Sequence, residues 1–119
     1  MGDLAERDLS SALAHGLERC ATVCRQTLES YEPSDGSEAN SELAVALMRT
    51  TAALQAALRL HTRDAEVRGV ALRIAVDLAR ETATLLRAAG LDERLLRCAD
   101  ACERAAYLCD DVLADEEAA

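Results

Sequence analysis

Four stretches of the chain place apolar or small residues at spacings that alternate between four and three, and this periodicity limits the fold more than any other feature. The first stripe is Leu13, Leu17, Cys20, Cys24, Thr27, Tyr31, and the second is Leu43, Leu47, Thr50, Leu54, Ala57, His61. The third reads Val67, Ala71, Ile74, Leu78, Glu81, Leu85, and the fourth Leu91, Leu95, Cys98, Cys102, Ala105, Cys109, Val112. Residues three and four apart share one face of an α-helix, so each stripe is a seam that must be buried against a neighbour.

The punctuation between the stripes agrees with helices. YEPSDGSEANS, residues 31–41, holds the one proline and reads as a loop. HTRDAE, 61–66, offers Thr62 and Asp64 as N-caps; AAGLDE, 88–93, puts Gly90 where a helix should stop and Asp92 where the next should start. Leu91 and Leu96 would flank Asp92 as a hydrophobic staple. The expected fold is all-α: an antiparallel up-down-up-down four-helix bundle in one domain, 1–119, with helices at about 3–31, 41–61, 64–89 and 92–115.

Half of the residues are hydrophobic but only 2% are aromatic, so Leu, Ala, Val and Ile must build the core. The net charge of −9, with arginine as the sole strong base, argues against a phosphate-backbone partner, and no aromatics are interleaved to stack bases. No nucleic-acid partner is expected. MGDLAERDLS is unlike a signal peptide, and no stretch reads as the roughly 20 apolar residues of a membrane span. The expectation is a cytoplasmic chain with no membrane partner, where structural disulfides are rare and five cysteines serve as thiols or metal ligands.

All five cysteines fall on seams. Free cysteine is among the most buried residue types, so packing alone would account for this. Register adds more. Running helix 4 antiparallel to helix 1 and matching their midpoints sets Cys20 near Cys102 and Cys24 near Cys98, with Cys109 about two turns away. Within each CxxxC pair the Cβ atoms stand ~5–6 Å apart, too far for an undistorted disulfide but acceptable for two thiolates sharing a soft ion. Thiolates select Cu(I), Zn or iron–sulfur species. Cu(I) accepts low coordination numbers, whereas Zn asks for four sulfurs in a tetrahedron and fits less well.

Cys98-Ala-Asp-Ala-Cys102, with Cys109 further along the helix, resembles the last helix of the bacterial cysteine-rich four-helix-bundle copper proteins, the copper-storage family. The resemblance implies interior thiolates that hold Cu(I). The family's helices space cysteines four, three and four apart. Helix 4 here keeps Cys98, Cys102 and Cys109 with Ala105 in the remaining place, and helix 1 keeps Cys20 and Cys24 ahead of Thr27 and Tyr31. Helices 2 and 3 keep none; Leu54, Leu58, Ile74, Leu78, Glu81 and Leu85 stand at equivalent places. The chain thus resembles a cysteine-depleted relative with capacity for one small site.

Other polar residues lie near the seams. Level-matching puts Glu81 beside Cys98 and Cys102, where a carboxylate would need a partner; the plainer reading turns helix 3 slightly and leaves Glu81 at the bundle edge. Thr50 falls in the same layer and is expected to bond its own helix. His15 and His61 could join Cys109 in a second soft site, although the helix dipole alone favours a histidine at the position of His61. Neither histidine has the Glu three residues earlier that a di-iron bundle needs, and no orienting residue accompanies a Cys–His pair. The chain is read as no enzyme.

Three functions compete. The first is a soft-metal protein that sequesters, buffers or senses Cu(I) through Cys20, Cys24, Cys98, Cys102 and the outlying Cys109. The second is an interaction module whose cysteines only pack and whose outer arginines (Arg49, Arg59, Arg63, Arg68, Arg73), alternating with acids, suit a homo-oligomer. The third, a thiol redox sensor, is disfavoured because Asp100, Asp110 and Asp111 oppose thiolate formation.

Overall fold

Ala, Leu, Arg and Glu, the strongest helix formers, dominate the chain on both sides of its one proline, Pro33. In the computed structural model the backbone is described for residues 2–30 and 38–118, and side chains for 10–30 and 41–117. Four helices result: α1 (Gly2–Ser30), α2 (Glu38–Leu60), α3 (Ala65–Ala88) and α4 (Glu93–Ala118). The fold is all-α. Each helix packs against its neighbours in sequence, and α4 closes the ring against α1. The α2 helix takes in the end of the segment read as loop; Tyr31 lies outside the described residues.

The two turns use the residues that their chemistry calls for. Asp64 caps α3 by accepting from the Val67 amide at 3.0 Å. After α3 the Ala89 amide bonds back to Leu85 and Leu86 carbonyls, and Gly90 adopts φ +131°, which a side chain would resist. Asp92 then accepts from the Arg94 amide at 2.8 Å to start α4. The expected staple does not form: Leu91 is 92% exposed. Gly90 and the Asp92 cap already set the direction of the chain and turn Leu91 outward.

Three of the four seams face the core. Leu13, Leu17, Cys20, Cys24 and Thr27 are buried on α1, and Leu43, Leu47, Thr50, Leu54 and Ala57 on α2. On α4 the buried run is Leu95, Cys98, Cys102, Ala105 and Cys109, passing to Leu113 instead of Val112. A strict seven-residue repeat drifts by ~20° per heptad on a straight helix, which accounts for the last step.

The α3 stripe needs correction. Its buried face is Gly69, Ala71, Leu72, Ala75, Val76, Ala79, Thr82, Ala83 and Leu86; of the expected stripe Ala71 is buried, Leu78 and Leu85 are half-buried, and Val67, Ile74 and Glu81 are exposed, as is Val70. The expected stripe is off by one residue, about 100° of rotation. In a core without Phe or Trp, a face of alanines bracketed by Leu72 and Leu86 packs closely, and the larger Val70 and Ile74 remain outside.

A second correction concerns hydropathy. Ser41–Leu60 of α2 is long and apolar enough, with a mean hydropathy of 1.2 in its most apolar 18-residue stretch, to cross a membrane by length and composition alone. The Ala and Leu content produces this value. Its Leu43–Ala57 seam is spent against the other helices.

Candidate metal centre

The CxxxC spacing places Cys20 and Cys24 one turn apart on α1, and Cys98 and Cys102 one turn apart on α4. Where these faces meet, the sulfurs touch. Cys20 Sγ lies 3.9 Å from Cys102 Sγ, and Cys98 Sγ lies 3.8 Å from Cys24 Sγ. A diagonal contact that level-matching does not reveal, Cys24 to Cys102, is the shortest at 3.6 Å. The sulfurs of Cys20, Cys24 and Cys102 all lie within 4.8 Å of one another, and Cys98 joins them through Cys24. All four are at most 1% exposed, and every thiol is free.

The other candidates stand apart. Cys109 is buried further along α4 and makes no sulfur contact among the described residues. Glu81 is exposed on α3 because of that helix's rotation, so it is not beside the thiols. His15 is exposed, and half-buried His61 turns its Nδ1 onto the Leu58 carbonyl of its own helix. Neither histidine, nor Glu81, nor Cys109 belongs to a cluster of ligand-type side chains among the described residues.

The cluster's electrostatics follow from four thiols sharing one dry space. Hydrogen bonds from Cys102, Cys20 and Cys98 converge on Cys24 and hold its thiol far below the usual range, so it is the first to ionise. Cys102 goes strongly the other way: its bonds to Cys20, Cys24 and Cys98, together with burial, favour the protonated form. At Cys20 the Cys102 contact favours the thiolate, but the bond to Cys24, burial and the Cys24 charge outweigh it, and the thiol is raised. Cys98 is pushed up to about 12 in the same manner: Cys102 lowers it, and Cys24 and burial prevail. Burial, with Asp110 adding charge, pushes Cys109 up to about 12. The four thiols titrate as one coupled group, in which the converging hydrogen bonds favour the ionised form at Cys24 and burial favours the protonated form at the others.

The arrangement is suited to one. With metal–sulfur bonds of ~2.3 Å, sulfurs stand about 4.0 Å apart around a trigonal ion and about 3.8 Å apart around a tetrahedral one. The observed contacts of 3.6, 3.8 and 3.9 Å are already at that spacing.

Opposite the thiols, α2 and α3 carry a polar pair instead of ligands. Thr50 Oγ1 and Thr82 Oγ1 are 2.7 Å apart and buried; Thr50 also reaches the Leu78 carbonyl at 3.1 Å and Thr82 the Ala46 carbonyl at 3.2 Å. Thr50 thus bonds across to α3, not to its own helix as its sequence context suggested. Thr27 does bond its own helix, at the Val23 carbonyl, and its hydroxyl also faces Cys98.

The family model described as Copper storage protein matches residues 6–114 of the chain. No curated protein and no solved structure matches.

Proposed function

The chain belongs to the copper storage protein family, and from that membership and the sulfur cluster we propose that it binds Cu(I) through the inward thiolates of Cys20, Cys24, Cys98 and Cys102. The observation that carries this reading is the buried three-sulfur group of Cys20, Cys24 and Cys102, whose sulfurs all lie within 4.8 Å of one another. Zn would need a fourth sulfur around the same point, and Cys98 lies outside the three-sulfur group, reaching it through Cys24 and Cys102. Low-coordinate Cu(I) makes no such demand. Ligand count gives a capacity of about one to two ions per chain. That capacity fits buffering or sensing better than bulk storage, and Cys109 is an outlying ligand at most. No catalytic constellation accompanies the thiols among the described residues; the proposed action is binding and release, in a cytoplasmic chain.

An up-down-up-down antiparallel ring supports the site. Along α1 and α4 the earlier cysteine of one helix meets the later cysteine of the other. Arg80 pairs with Asp110, while Arg87, further along α3, pairs with the earlier Asp100 and Glu103 at 3.1 and 2.9 Å.

The test is an anaerobic Cu(I) titration of the reduced, metal-free protein against a chromophoric Cu(I) chelator. Stoichiometric uptake is expected in the wild type and in Cys109→Ala, with loss of uptake in Cys20→Ala/Cys24→Ala. Failure of the wild type to compete with the chelator would reduce the cluster to core packing.

A further inference from the structure

Along the α1–α4 seam, just outside the thiols, runs a groove of about 570 Å³, within the ~300–1,000 Å³ range of small-molecule sites. Arg19, Arg94, Arg97 and Arg104 line it, and Cys20 is the cysteine that reaches it. The one carboxylate on its wall, Asp100, is already held by Arg87 at 3.1 Å. Arg94 and Arg97 have loose exposed partners in Asp92 at 3.8 Å and Glu93 at 3.7 Å, while Arg19 and Arg104 make no ion pair among the described residues. On a chain of net charge −9, this strip is where an anion is drawn in instead of repelled.

We propose that this groove docks a small carboxylate-bearing thiol carrying Cu(I) and passes the ion sideways to Cys20. The proposal rests on the Cu(I) reading above and names the donor for that site. The carrier's carboxylates pair with guanidiniums, whose planar forks match them, and its sulfur-bound ion is then directed at the Cys20 side of the cluster. Transfer is a thiol exchange: the bond from copper to the carrier sulfur breaks and a bond to Cys20 Sγ forms. The Cys20 proton leaves on the departing carrier thiolate, and no electron moves. From Cys20 the ion meets Cys102, 3.9 Å away, and Cys24 beyond it.

Two measurements test this. In the first, S-methylglutathione, which keeps both carboxylates but cannot bind through sulfur, is titrated into the metal-free protein and followed by amide NMR. Shifts confined to the neighbourhood of Arg19, Arg97 and Arg104 are expected; shifts absent or scattered would overturn the groove whatever the protein does with copper. In the second, stopped-flow transfer is compared from Cu(I)–glutathione, which is anionic, and from Cu(I)–cysteamine, which is cationic. Net charge alone favours the cysteamine complex. In Arg19→Gln/Arg97→Gln/Arg104→Gln, whose altered side chains are exposed, transfer from glutathione at low salt should fall by about tenfold. Transfer from cysteamine should not fall, nor the final stoichiometry. Equal rates from glutathione in variant and wild type would overturn the docking role alone, whereas no uptake from either carrier would overturn the Cu(I) reading itself.

Discussion

The metal-free protein should lose stability in alkali, and Cys109 allows the loss to be measured at one residue. Its thiol is pushed from an ordinary value near 9 up to about 12 by burial, and it is 1% exposed, so solvent screening takes little away. A raised pKa means that the folded chain prefers the proton. The stabilising contribution is therefore complete below pH 9 and lost as pH rises from 9 towards 12. At pH 8 the thiol is protonated whether the chain is folded or not. At pH 10 the unfolded chain gains on the order of 1 kcal/mol from ionising, and more as pH approaches 12. The other cysteines also titrate, so the readout is a double difference: urea unfolding of wild type and Cys109→Ala, each at pH 8 and pH 10. Deleting the sulfur has its own cost, but that cost is the same at both pH values. With a urea slope of about 1–3 kcal/mol/M for a chain of this size, the wild-type midpoint should fall by about 0.3–1 M more than the variant's. Parallel falls would show that Cys109 is not the buried neutral thiol described above.

The α3 face is tested by paired truncations: Leu72→Ala and Leu86→Ala, fully buried, should each cost about 2–5 kcal/mol, and half-exposed Ile74→Ala about 0.5 kcal/mol or less, by urea unfolding. The Thr50–Thr82 bond predicts that Thr82→Val costs about 1–2 kcal/mol and that Thr50→Val/Thr82→Val costs less than the sum of the singles, because either single substitution already removes the contact that the two hydroxyls share; additive losses would rule out the bond. Stripping copper with a tight chelator should leave the far-UV circular dichroism unchanged, since the Leu and Ala core is complete without an ion. Copper at about 1,000 times its Kd should add about 4 kcal/mol to stability, with release of thiol protons seen in weakly buffered solution. Collapse of the helical signal on chelation would contradict a pre-formed core.

The helices themselves were legible because leucines and cysteines repeat at helical spacing on α1, α2 and α4, and because Asp64, Gly90 and Asp92 mark the turns. On α3 the rule misled for a chemical reason. It weighted Val67, Ile74 and Leu78 by their size, whereas the core takes the small residues Ala75, Ala79 and Ala83 between Leu72 and Leu86. Glu81 lies on the exposed side with Val67 and Ile74, as the plainer reading of its position had it. The facing CxxxC pairs could be anticipated from i, i+4 geometry. The diagonal Cys24–Cys102 contact could not: level-matching is good to about one helical turn, ~5.4 Å, which is coarser than the difference between a contact and a gap. The basic groove left a partial signal in the spacing of Arg94, Arg97 and Arg104 along one side of α4. Arg19 joins them only once α1 is laid against α4.

The placement of the cysteines makes the site one-sided. Ligands come from α1 and α4, while the facing half of the core is Leu47, Leu54, Leu72 and the hydrogen-bonded Thr50–Thr82 pair, all fully buried. That half satisfies its own polar atoms and fixes α2 against α3 without help from a metal. The thiol half is a coupled titrating group: hydrogen bonds favour the thiolate at Cys24, and burial favours the protonated form at Cys20, Cys98 and Cys102. Such a division would let the chain fold without an ion, the behaviour that the proposed buffering or sensing role requires. It also brings Cys20 to the α1–α4 seam, beside the arginine strip, where an anionic carrier can reach the site from the flank without threading the length of the bundle.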